Sequence, residues 1–302
     1  MKIKNILMAA ALIVAPSIVG AQGVEVLIPG TDGRNVAMGG NFFGESRSSL
    51  VYSNPTSIYN GEKNWNVSFS YRSFDDSPGE AGNMTLGSFA ASKSFGIHAV
   101  HLGYRKLDGL NIAGVKPASS SVDLGYSVLL GDFSVAAGMS YIKDELVDDA
   151  TGVAFNASAY YRGCLDMAQG ARYTVGLGAG NIGGDLDRGK TYAKVELPLY
   201  FGAGGEFGVD FNENHSVAVS LGMKYYSMKG DNSMLTAGLG AEYSLMKMVS
   251  VRAGYLYGEN DNSALTAGVG ISLGAFDFSG AYVMPSSDDM VDSYMLSASV
   301  KF

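Results

Sequence analysis

The residues with the chemistry for catalysis are few: three histidines, one cysteine and scattered acids. A nucleophile needs a base beside it, within hydrogen-bond reach of the proton to be removed. His98 shares an alternating face with Val100, Leu102 and Tyr104, while His101 shares the opposite one with Ile97 and Ala99. His215 stands near a short turn. No histidine is paired in sequence with a nucleophile or an acid, so the expectation is a non-enzyme without catalytic residues. Gly202-Ala203-Gly204-Gly205 matches part of a phosphate loop but lies within a strand and precedes no helix. Cys164 has no second cysteine to pair with and reads as a free thiol in a turn. No metal or other cofactor is expected.

The acids gather in groups: Asp75 and Asp76; Asp144, Glu145, Asp148 and Asp149; Asp185 and Asp187; Asp288, Asp289 and Asp292. Such groups could bridge divalent cations to lipopolysaccharide or bind calcium, but solvated loop charge is the simpler reading. The formal charge is −8, and removing Lys2 and Lys4 makes it −10. A nucleic-acid partner is not expected, because phosphate contacts require clustered Lys and Arg. Only 17% of residues are charged, against about 25% in soluble domains.

The elements that must position these residues are strands. From Trp65 onward hydrophobicity alternates with period two, in about fourteen runs of roughly ten residues. The run near 193–207 puts Val195, Leu197, Leu199, Phe201 and Phe207 on one face. Arg72, Asp123, Arg162, Arg172, Lys194, Glu196, Glu206, Lys224, Glu242, Arg252 and Lys301 all fall opposite the large apolar residues. A Lys or Arg facing lipid at mid-bilayer costs about 2–4 kcal/mol, so the apolar face is read as lipid-facing and the charged face as luminal. The two runs near 82–105 alternate less cleanly, and a bulge is expected there. Tyr and Trp near strand ends (Trp65, Tyr71, Tyr104, Tyr141, Tyr161, Tyr192, Tyr225, Tyr257) read as interfacial girdles. Longer connections, Lys143–Thr151 among them, alternate with shorter ones. The fold class is therefore all-β, a transmembrane antiparallel barrel of about fourteen strands.

The inward face is rich in glycine, including Gly125, Gly138, Gly176, Gly178, Gly222, Gly238, Gly240, Gly254, Gly268 and Gly270. Two readings stand side by side: the small residues leave room for water, a ligand or a plug, or they only relieve crowding where strands coil. Asn232–Gly240 (NSMLTAGLG) recurs as Asn262–Gly270 (NSALTAGVG), implying two strands with equivalent roles.

Both ends agree with export. Lys2 and Lys4, the apolar run Ile6–Ile13 and Val19-Gly20-Ala21 form a secretory signal with cleavage before Gln22. Domains are accordingly 1–21 signal peptide, 22–63 N-terminal plug or hatch, and 64–302 barrel. Asp292–Phe302 is an amphipathic strand with Tyr294, Leu296, Ala298, Val300 and Phe302 on one face. It resembles the signature by which outer-membrane barrels are assembled, and Tyr294 and Phe302 are its candidate closure and assembly residues. The expected place is a Gram-negative outer membrane. The expected partners there are outer-membrane lipids, lipopolysaccharide and the barrel-assembly machinery.

Ala37-Met38-Gly39-Gly40 and Tyr52-Ser53-Asn54-Pro55 resemble the start of FadL-like outer-membrane barrels, nearest to the PorV/PorQ branch of Bacteroidetes-type bacteria. That branch has an A-x-G-M-G-G-like stretch before a Y-x-N-P segment; here Thr56 replaces the Ala common after the Pro. The resemblance implies a fourteen-stranded barrel with Met38, Gly39, Gly40, Tyr52, Asn54 and Pro55 as ligand or hatch residues. It implies either of two functions. PorV/PorQ members act with the type IX secretion machinery, with secretion components or secreted proteins as partners. FadL members bind hydrophobic small molecules near an N-terminal hatch and pass them inward. The first is the leading expectation and the second the alternative; a structural or adhesive outer-membrane protein is a third.

Overall fold

The computed structural model describes residues 24–75, 83–110, 116–145, 149–165, 170–187, 194–228, 233–259, 262–287 and 291–302. Residues 1–21, Asp76, Asp148, Tyr192, Asp288 and Asp289 lie outside them.

Fourteen antiparallel strands form a closed barrel in which each strand pairs with its sequence neighbours. They are β1 (Trp65–Asp75), β2 (Met84–Phe95), β3 (His98–Asp108), β4 (Ala118–Leu130), β5 (Phe133–Glu145), β6 (Asp149–Cys164), β7 (Arg172–Gly183), β8 (Leu199–Asp210), β9 (His215–Ser227), β10 (Met234–Leu245), β11 (Val249–Gly258), β12 (Ala264–Leu273), β13 (Phe276–Pro285) and β14 (Asp292–Lys301). The ring closes between β1 and β14, from Asn66 opposite Lys301 to Asp75 opposite Asp292. The Trp65 N–H donates to the Phe302 carbonyl at 2.8 Å and the Phe302 N–H to the Trp65 carbonyl at 3.2 Å. Their rings stack with centroids 5.8 Å apart.

Alternation sorts the side chains as the pattern requires. Tyr294 and Leu296 are exposed on the outer surface, whereas Ser293, Met295, Ser297 and Ser299 are buried inside. Asp123, Lys224, Glu242 and Arg252 are likewise buried on the inner face, and the girdle residues Trp65, Tyr71, Tyr104, Tyr141, Tyr161, Tyr225 and Tyr257 are exposed on the outer one.

Three local readings need correction. The ladders β2–β3 and β3–β4 run without a register shift. Ala99, His101 and Arg105 point inward while Val100, Leu102 and Tyr104 point outward, so the alternation at 98–105 is regular. The irregularity lies instead between Phe155 and Ala157, in the β6–β7 ladder. Second, β8 starts at Leu199. Val195 and Leu197, expected on the outer face, fold inward and pack in an apolar cluster with Val24, Val26, Phe74, Leu86, Ile142 and Leu186. Alternation alone cannot distinguish a strand end from a loop that turns into the lumen. Third, β5 and β6 extend so far that their connection is only 146–148.

Outer positions should be far less tolerant of charge than inner ones with free space beside them. Leu239, 54% exposed near the middle of β10, faces outward, and Ser158 lines an internal cavity. In urea titrations of the barrel in lipid vesicles, Leu239→Arg is expected to cost about 2–4 kcal/mol, and Ser158→Asp, which brings a carboxylate to the cavity that Lys224 and Arg105 line, less than that.

Candidate ligand site inside the barrel

Residues 24–60 run through the interior, from the end where Leu186, Val195 and Leu197 pack inward to the end where β1 begins. At the first end the Val24 N–H donates to the Glu196 carbonyl. At the other, Tyr59 Oη donates to the Ile97 carbonyl at 3.2 Å and lies 3.0 Å from Ser127 Oγ. Between them lie short 3-10 turns at Glu25–Leu27, Leu50–Tyr52 and Pro55–Tyr59 and one helical turn, α1 (Gly33–Ala37). Asp32 caps α1, accepting from the Arg34 and Asn35 N–H groups, and its other oxygen accepts from Arg47 and Ser48. One carboxylate thus folds residues 45–48 back onto α1.

The central contact is Arg34. Its guanidinium makes two parallel 2.8 Å bonds to Glu206 on β8 and further bonds of 3.1–3.3 Å to Glu242 on β10. Burial works against the charge, but the two carboxylates outweigh it and raise the Arg34 pKa well above its ordinary value. Glu242 also pairs with Arg47 and Arg252, and Asp277 lies 3.9 Å from Arg47 and 3.5 Å from Lys301.

The inward glycines receive this segment. A Cβ on Gly238, Gly240 or Gly254 would collide with the backbone of Met38 or Gly39, and one on Gly268 with the Ala37 side chain. Gly202 and Gly176 abut Phe43, and Gly204 and Gly222 abut Asn41. Here the small residues serve close approach rather than open lumen. Gly39 and Gly40 carry φ of +76° and +78°, a conformation other residues resist. Their turn is fixed by the Gly40 N–H donating to the Asn35 carbonyl and the Gly39 N–H to Thr266 Oγ1. The repeat is also explained: its two strands, β10 and β12, present Gly238 to Gly39 and Gly268 to Ala37.

Above the segment a cavity of about 80 Å³ remains. Leu27, Pro29, Phe42, Phe43 and Tyr52 line it from the segment, and His101, Arg105, Asp123, Tyr160, Tyr200 and Lys224 from the wall. Arg105 donates to Ser121 at 2.9 Å, lies 3.9 Å from Asp123 and stacks over the Tyr52 ring. Burial, together with the charge and hydrogen bonding of Asp123, raises the Tyr52 pKa, so its phenol stays protonated. Leu27 joins the cavity to the apolar cluster of Val24, Leu186 and Leu197.

No family model matches the chain, and no curated protein matches it. Solved structures do. The CymD monoaromatic hydrocarbon channel aligns at TM-score 0.61 and 13% identity, over 90% of this chain and 98% of that one. The Pseudomonas putida toluene transporter TodX gives 0.60 and 11%, over 90% and 99%. A Pseudomonas aeruginosa FadL homologue gives 0.59 and 14%, over 91% and 98%. The fold is FadL-type.

Within this FadL-type barrel the sequence-selected residues divide. Met38 and Gly39 sit against the glycines of β10 and β11, and Gly40 completes their turn. Asn54 is fully buried, accepts from Thr56 and donates to the Gly44 carbonyl, so its work is structural. Tyr52 and Pro55 line the cavity. Tyr294 and Phe302 lie on the outer surface. Sequence reasoning placed Lys224 on the luminal face but did not single it out, and it passed over Arg105, Phe42 and Phe43. Arg105 was readable as a charge opposite Leu102 and Tyr104. The aromatic pair lay in a stretch without periodicity.

The histidine reading needs amendment. His101 Nδ1 lies 2.8 Å from Ser92 Oγ and Nε2 lies 3.0 Å from Ser127 Oγ, a juxtaposition invisible in sequence. Both ring nitrogens are taken up by serines and no carboxylate orients the ring, so this is a satisfied buried histidine rather than a catalytic pair. Among the described residues, no three His, Cys, Asp or Glu side chains come together as a metal site.

Removing Arg34 leaves Glu206 and Glu242 short of their buried partner. Arg34→Met is expected to cost about 3–5 kcal/mol in urea unfolding. Adding Glu206→Gln should recover part of that loss, whereas independent effects would simply add.

Proposed function

We propose that this chain is an outer-membrane channel that admits small hydrophobic or amphipathic molecules, with residues 24–60 as its hatch. The observation that carries this reading is the cavity itself. It lies between the barrel wall and the hatch segment, which fills the lumen beside it, so passage of a solute calls for one of these to move. A wall cannot open without breaking ladder hydrogen bonds, whereas the segment is held by side chains and a few backbone contacts. The proteins sharing the fold support the reading, since two of them are a monoaromatic hydrocarbon channel and a toluene transporter.

The secretion-accessory reading rests on the two N-terminal motifs. Ala37, Met38, Gly39 and Asn54 are buried against the barrel or the segment itself. Motif residues spent on internal contacts supply no docking surface for a secreted protein. The same burial accounts for their resemblance to either branch of the FadL-like barrels.

Cells expressing the chain should take up toluene faster than cells lacking it, by roughly tenfold at limiting concentration, with protein secretion unchanged. Deleting residues 24–60 should convert the barrel to a leaky pore with larger conductance in planar bilayers. Equal toluene uptake with and without the chain would refute the proposal.

A further inference from the structure

Lys224 is the observation that the uptake role alone leaves unexplained. It is 9% exposed, on the inner face of β9, and its Nζ lies 3.5 Å from the centroid of the Phe42 ring and 4.4 Å from that of Tyr200. Among the described residues no carboxylate forms an ion pair with it. The other buried cations differ: Arg34 has Glu206 and Glu242, Arg252 has Glu242, and Arg105 has Asp123. A buried ammonium without a counter-ion is strongly unfavourable, and ring faces offset only a part of it. Lys224 projects into the cavity, so the missing partner has room to be a ligand.

Other cavity groups narrow the ligand's chemistry. Tyr52 lies at the same cavity beside Asp123. Asp123 is occupied, accepting from Ser121 and Ser140 and lying near Arg105. The side chains of Leu27, Pro29, Phe43 and Tyr160 supply an apolar lining. A volume of about 80 Å³ suits a compact body rather than an extended alkyl chain.

From this arrangement we infer that the cavity selects compact carboxylic acids with an apolar body, the carboxylate pairing with Lys224 and the body resting among the aromatic rings. Phe42, which belongs to the hatch, covers the same ammonium. The anion therefore binds where hatch and wall meet. The inference rests on the proposed uptake role and sharpens it, because it distinguishes an acid from a neutral hydrocarbon of similar shape.

Benzoate and toluene differ at one substituent, a carboxylate against a methyl, and are the probes. Each is titrated calorimetrically into the purified full chain and into Lys224→Met, which removes the charge but keeps an unbranched side chain. The expected result is benzoate binding weakened on the order of tenfold or more by Lys224→Met, as loss of a charge-assisted hydrogen bond implies, with toluene binding unchanged within about twofold. Unchanged toluene binding also reports that the variant is folded. Toluene binding without benzoate binding overturns the inference and leaves the uptake role standing, as does equal benzoate affinity for both proteins. Binding of neither probe overturns both.

Discussion

A strand edge facing hydrocarbon would leave a row of backbone N–H and C=O groups without partners, at a cost of several kcal/mol each. Every strand of this chain must therefore have two neighbours, and the last must find the first. The pairing of β14 with β1, finished by the reciprocal bonds and stacked rings of Trp65 and Phe302, meets that condition. Closure dictates the rest. Once the ring is shut, each residue faces either lipid or lumen. Charges such as Arg72, Glu206, Lys224, Glu242 and Arg252 have only the lumen to occupy, where water is limited and every charge needs a partner.

The segment 24–60 answers that need. Arg34 neutralises Glu206 and Glu242 at once, Arg47 reaches Glu242 and Asp277, and Asp32 is satisfied by four backbone donors. The glycines of β7–β12 let the backbone at Met38–Gly39 and the side chains of Asn41 and Phe43 lie directly on the wall. The polar and steric fits are independent of each other and fix one placement. Among the described residues a cavity remains where this packing stops, with Leu27, Pro29, Phe42 and Phe43 of the segment on one side and the wall on the other. On the segment's side the cavity is bounded by backbone that carries no ladder hydrogen bonds, which is where movement costs least.

Much of the barrel was legible because period-two patterning is local. Tyr294 to Phe302 could be assigned to faces one residue at a time, and so could β9 through β12. The sequence failed where the deciding contact is distant. Val195 and Leu197 continue the alternation of β8 but turn inward to meet Val24 and Val26, partners about 170 residues away in sequence. The role of Gly240 required knowing that Met38 lies on it; read locally, it was one of many small luminal residues that either leave room or relieve crowding. His101 between Ser92 and Ser127 depends on strand register, and so does the isolation of Lys224 among aromatic rings. The motifs Ala37–Gly40 and Tyr52–Pro55 marked a segment of consequence, yet much of it proves to be packing, and the cavity-facing Phe42, Phe43 and Lys224 carried no motif.

The central claim is that residues 24–60 occupy the lumen and must move for a solute to pass. Joining the segment to the wall tests it directly. In a Cys164→Ser background, Asn41→Cys with Gly222→Cys places two thiols where the segment meets β9, the two Cβ positions being 3.4 Å apart, close to disulfide geometry. Oxidation in intact cells should form this crosslink in the folded barrel and suppress toluene uptake, and a membrane-permeant reductant should restore it, while either single cysteine has no effect. Failure of the pair to crosslink, or full uptake through the crosslinked barrel, would contradict the account.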